Sequence, residues 1–213
     1  MAKTRAPLTR TRILEAGIRL ADEGGIESVS MRKLGQALGV EAMSLYNHVA
    51  NKDDLLNGMV DLVIAEVELP DDGDWESAVR RCAVSAHDAL LRHRWAPPLM
   101  MSPLGIHAGR LRYMNWLLGR LRDAGFSPEL TYRGYHALDS HILGFTLWQL
   151  GHAMPDAGSD VIAGFLRDFP HEDYPHLGEH IRQHLADDPP DKEVGEYELV
   201  LDLILAGFKR LRS

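Results

Sequence analysis

The sequence predicts an all-α fold: an N-terminal three-helix head containing a helix-turn-helix, and a larger helical body behind it. Apolar residues recur at three- and four-residue intervals along most of the chain, the period of a helix with one buried face. Side chains able to accept from free helix N–H groups precede several of these runs, among them Ser30, Asn51, Asp74 and Ser127. Glycines follow the runs, at Gly24 and Gly25, Gly39 and Gly125. The expected division is residues 1–52 for the head, 53–70 for a connecting helix and 71–213 for the body.

The first residues, 1–7, form a basic arm with Lys3 and Arg5, which either lies along a phosphate backbone or is disordered. A first helix over 9–22 turns Ile13, Ala16, Gly17, Leu20 and Ala21 inward. Ser30 caps a second helix whose apolar face is Met31, Leu34, Ala37 and Leu38, and Gly39 supplies the left-handed position that ends it. Val40 packs into the angle, and 42–48 is long enough for two turns of a third helix. Helix, glycine turn and short second helix is the outline of a motif that enters the DNA major groove. Ser44, Tyr46, Asn47 and His48 on the short helix are donors and acceptors suited to base edges or phosphates. Arg32, Lys33 and Lys52 stand where cations grip a phosphate backbone.

Asn51 caps the connecting helix, expected over 52–68, with Asp53 and Asp54 in its positive first turn and Leu55, Leu56, Met59, Val60, Val63 and Val67 buried. Such a rod joins head to body, so it is the natural lever between them. The breaker-rich stretch 70–74 marks the boundary. Asp74 caps a helix over 75–94 that buries Val79, Cys82, Ala83, Ala86 and Leu90. Pro97, Pro98 and Pro103 forbid a straight helix over 95–107, an apolar stretch expected to cover something. Helices follow over 109–124 and 128–151, the second capped by Ser127 and roughly 36 Å long at 1.5 Å per residue. Shorter ones are expected near 161–168 and 176–185, between Pro170, Pro175 and Pro189-Pro190. The last helix, 193–211, carries a stripe of Tyr197, Val200, Leu201, Ile204, Phe208 and Leu211, widened by Leu199, Leu203 and Leu205. A face that wide suits packing on its own domain and on a second copy, pairing with the 128–151 helix in a four-helix homodimer interface.

The chain has 213 residues, 45% hydrophobic and 25% charged, the balance of a soluble globular protein. No apolar run approaches 18 residues and no signal-peptide core is visible, so no membrane partner is expected and the cytoplasm is the expected location. Cys82 is the single cysteine, which excludes an intrachain disulfide. The net charge of −8 hides an asymmetry. Residues 1–52 hold 8 Lys+Arg against 5 Asp+Glu, a net of +3, and 53–213 hold 15 against 26, a net of −11. A basic head on an acidic body confines phosphate contact to the head.

The run from Gly39 to Leu55 resembles the signature of tetracycline-repressor-type (TetR) regulators, with Gly39, Val40, Leu45, Tyr46, His48, Val49, Lys52 and Leu55 at its spacing. The segments LLRHR, DAGFSPE and YELVLDLILAGFKRL are similar to the body of the tetracycline-repressor branch. The resemblance implies a homodimeric regulator that binds double-stranded operator DNA and answers to a small-molecule effector. A magnesium-binding His of that branch falls at about Met100, with Pro103 a little beyond, and a Glu near Trp148. Those changes imply an effector other than magnesium–tetracycline.

Trp95, Met100, Met101, Trp116, His136, Asp139, Trp148 and Gln149 lie in segments expected to surround an internal cavity and are the candidate ligand-binding residues. The His176, Glu179, His180 spacing also matches an inverted zinc-peptidase motif, but so short a match is weak and no distant carboxylate completes it. No catalytic residue, metal ligand or cofactor is assigned. The alternative is a helical metal-dependent enzyme, or a small-molecule-binding protein without regulatory role.

Overall fold

A computed structural model describes residues 7–101, 108–152, 164, 167–184 and 195–212. The basic arm at 1–6, part of the apolar covering segment (102–107, with Pro103), most of the short helix expected near 161–168, and Pro189-Pro190 lie outside the described residues. Among the described residues there are helices and turns and no strand.

The head comprises α1 (Arg10–Gly24), a 3-10 turn (Ile26–Ser28), α2 (Met31–Leu38) and α3 (Ala42–Leu45). Caps set its boundaries: Thr9 accepts from the Arg12 N–H and Ser30 from the Lys33 N–H, and Gly39 ends α2 at φ 64°. Gly35 matters for a different reason. A Cβ there would sit 2.8 Å from the Val40 carbonyl oxygen and 3.2 Å from the Ala42 nitrogen, so only glycine lets α2 lie against the turn. Two expectations are corrected. The short helix is one α-turn, Ala42–Leu45, continued by turn residues, and Ala37 faces solvent because α2 buries only Leu34 and Gly35 fully.

The rod α4 (Lys52–Ala65) starts at Asn51, which accepts from the Asp54 N–H, and stops three residues before the expected end. It packs on α1 in the head and on α7 (Ala108–Asp123) in the body. Leu55, Met59, Val60, Val63 and Ile64 are buried along it, each contributing about 1.5–3 kcal/mol of apolar burial, while Leu56 and Val67 are only half-buried.

The body is formed by α5 (Trp75–Arg92), the short α6 (Ala96–Met100), α7, α8 (Pro128–His152), α9 (Pro175–His184) and α10 (Glu196–Arg212). α8 is its hub, packed against α5, α6, α7 and α10. The Tyr197 ring stacks on His87 at 3.9 Å and on His141 at 4.6 Å, and its hydroxyl donates to the Ala83 carbonyl. Burial lowers the pKa of both histidines, favouring their neutral forms. On α10 the fully buried residues are Tyr197, Leu201 and Leu205. This corrects the expected stripe: Leu205 belongs to the core face, and Val200 and Leu211 point outward with Leu199 and Leu203.

Candidate DNA-reading head and ligand cavity

In the head, Leu45 and Val49 are buried in the core, and the short helix packs on α2. Helical spacing then turns the other side outward: Met43 is 74% and Tyr46 45% exposed, and Asn47 is exposed beside them. Ser44 and His48 are half-buried at the edge of this face. Arg32, Lys33 and Lys52 are exposed, and no ion pair among the described residues engages them.

Arg10 clasps the base of this unit. Its guanidinium donates to both carboxylate oxygens of Asp54, at 2.8 and 2.6 Å, and to the His48 carbonyl at 3.1 Å. Asp54 also accepts from the Ala50 N–H at 2.8 Å. Those two bonds, from Arg10 first and Ala50 second, pull its carboxyl down to about 2. The reader turn is therefore tied at its exit to α1 and α4 together.

A second polar knot joins head to body. His93, just after α5, meets Asp22 of α1 through Nδ1 at 2.9 Å and Glu66 through Nε2 at 3.2 Å. The Trp95 indole N–H donates to the same Asp22 oxygen at 2.7 Å, and Arg92 pairs with Glu66.

Between α4, α5, α7 and α8 lies an apolar cavity. Val63 and Ile64 come from α4, Leu90 from α5, Ile142 from α8, and Met100 ends α6. Its enclosed part is small, and the space reaches about 390 Å³ when the open mouth is included. Three polar side chains stand in this wall, Arg110, Tyr113 and Asp139, with Arg110 and Asp139 joined at 2.7 Å. Burial is the largest single influence and works against the Arg110 charge, but Asp139, Tyr135 and Tyr113 together outweigh it and raise its pKa. Tyr113, a few residues along α7, is buried, and burial holds its hydroxyl well above the usual tyrosine range. The wall touches the lever, because the Gly109 N–H donates to Asp61 of α4 at 2.9 Å.

The model of the bacterial regulatory proteins of the tetR family matches residues 13–59, and that of the tetracyclin repressor-like C-terminal domain matches residues 69–212. The chain belongs to the TetR family. Tetracycline repressor protein class D of Escherichia coli is 40% identical over 153 residues, 69% of this chain and 69% of that protein. An HTH-type transcriptional regulator of Saccharopolyspora erythraea is 30% identical over 145 residues, 67% of this chain; the match spans 61% of the length of that relative. In structure, the chain is similar to the Streptomyces coelicolor TetR family protein ActR in complex with actinorhodin, at TM-score 0.74 and 30% identity over 98% of this chain and 100% of that one.

Within this TetR-family body the candidate ligand residues separate. Met100 and Asp139 line the cavity. Trp95 is buried in the Asp22 knot, Met101 is exposed, and Trp116 is half-buried on α7. His136 is exposed against Tyr132 and Tyr135, and Trp148 and Gln149 are exposed near the end of α8. Arg110 and Tyr113, which sequence reasoning missed, share a stripe with Leu117 and Leu121, the last three all buried. That three- and four-residue spacing was the available signal. His176, Glu179 and His180 lie exposed on α9, and among the described residues no three metal-binding side chains converge. Cys82 is buried, which pushes its thiol up to about 12. Among the described residues no helix is long and apolar enough to cross a membrane.

Proposed function

We propose that this TetR-family chain is a repressor that binds a palindromic operator as a homodimer and is released by a small molecule. The observation that carries the reading is a reader face clasped to a rod whose far end walls a cavity. Tyr46, Asn47, Ser44 and His48 enter the major groove and its edges, and Arg32, Lys33 and Lys52 hold phosphates. The dimer forms through α8 and α10, where Trp148, Leu199, Val200 and Leu203 are apolar and exposed on the single chain. The similar ActR is known in complex with actinorhodin, which supports an organic effector here and does not name it.

An effector in the cavity presses on α4 and on the Gly109–Asp61 contact, and α4 carries that displacement to Asp54 and the reader turn. Its power is limited to its differential affinity for the two head spacings. The deciding experiment is binding of the purified chain to the DNA upstream of its own gene and to scrambled DNA, across a salt series. Six to ten phosphate contacts predict a loss of about 10³–10⁵ in affinity between 50 and 200 mM salt. Equal, salt-insensitive affinity for both DNAs would overturn the reading.

A further inference from the structure

We infer that the cavity takes an uncharged, largely apolar molecule bearing an oxygen acceptor, such as a ketone or quinone, which Arg110 and Tyr113 hold by donated hydrogen bonds. This deepens the repressor reading and rests on it for the molecule's role as effector. Arg110 uses one terminal nitrogen, Nη2, on Asp139. Its other, Nη1, and the Tyr113 hydroxyl are both buried with no hydrogen-bond partner among the described residues. Buried polar groups left so are costly, and such exceptions in a native fold point to a missing partner. The two residues stand three apart on α7, so they share a face; both line the cavity, whose surface in this conformation is apolar, and their donors lie behind it, within reach of a molecule that parts the wall.

The missing partner is an acceptor. A guanidinium nitrogen can only donate, and the Tyr113 hydroxyl stays protonated and free to donate as well. Charge narrows the class further. Asp139 already neutralises Arg110, so a carboxylate would put a second negative charge beside Asp139 in an apolar surrounding. The remaining wall, with Val63, Ile64, Leu90 and Ile142, calls for an apolar body. Met100 is half-buried and unbranched, and is the lining side chain best able to yield to a molecule larger than the enclosed space.

The test uses calorimetry on the full chain with two matched trios: indane, 1-indanone and indane-1-carboxylate, and fluorene, 9-fluorenone and fluorene-9-carboxylate. In at least one trio the ketone is expected to bind about tenfold tighter than its hydrocarbon, and the carboxylate weakest. Tyr113→Phe should cut the ketone's affinity about fivefold and leave the hydrocarbon's unchanged. Asp139→Asn should lift the carboxylate toward the ketone. Equal binding of ketone and hydrocarbon, a carboxylate that binds tightest, or no binding of any probe at its solubility limit overturns the inference. Operator binding by the same preparations separates the two readings. If it persists while the probes fail, the ligand class falls alone; if probes bind as expected and DNA does not, the repressor reading falls alone.

Discussion

His93 of the body and Asp22 of the head meet at 2.9 Å, and Trp95 donates to the same Asp22 oxygen at 2.7 Å. One carboxylate on α1 thus holds two body side chains, while Glu66, just past the end of α4, holds the other face of His93. Head and body cannot shift relative to each other without breaking this knot or carrying it along.

Replacing Asp22 by Ala strips the acceptor from Trp95, whose indole is largely buried. The expected cost is about 1–3 kcal/mol in urea unfolding. The effector's influence on operator affinity should shrink as well, which DNA titrations with and without effector would measure. A variant with full stability and full response would remove the knot from the coupling route.

The Arg10–Asp54 pair predicts an acid-sensitive head. The folded carboxyl sits at about 2, below its ordinary value, so its stabilisation is complete above about pH 5 and fades as pH falls toward 2. The pair is part-exposed, at 43% and 33%, so solvent screening reduces the contribution to about 1 kcal/mol. Asp54→Asn should therefore lose that amount at pH 7 and nothing near pH 2, read from denaturation curves at both values.

Gly35→Ala tests the close approach of α2 to its turn. Helix propensity alone favours alanine by about 1 kcal/mol. The new Cβ would lie 2.8 Å from a backbone oxygen that has no side-chain freedom to move away. Net destabilisation of about 1–3 kcal/mol is expected, with weakened operator binding. A more stable protein would show that the turn gives way.

Tyr46→Ala combined with Lys52→Ala should abolish operator binding and leave the folded dimer intact, because both side chains are exposed. Lys52→Ala alone should lower the magnitude of the salt slope by about 1, whereas Tyr46→Ala, which removes no charge, should weaken binding and leave the slope unchanged. Sedimentation and circular dichroism would confirm the unchanged dimer and helix content.

What could be read along the chain was whatever a few neighbouring residues decide. The caps at Ser30, Asn51 and Asp74 and the stop at Gly39 act within one helical turn, and they stand as expected. The family signature from Gly39 to Leu55 lies in one such local unit and located the reader helix. Faces were less legible where a helix is apolar nearly all round. On α10, Leu205 and Leu211 look alike in sequence, and only the position of α5 and α8 buries one and leaves the other in solvent.

The helices, their capped starts, the basic head and the reader motif were legible along the chain, because propensity, capping and charge are properties of adjacent residues; where the short helix and the rod stop was not. Long-range packing sets which partner each carboxylate finds: Asp54 meets Arg10, Asp22 meets His93, and Asp139 meets Arg110. These partners lie 44, 71 and 29 residues apart, and no local rule selects one carboxylate over another at such separations. The packing of α4 on α1 and on α5, and of α7 on α8, brings them within reach, and with them the unpartnered donors of Arg110 and Tyr113.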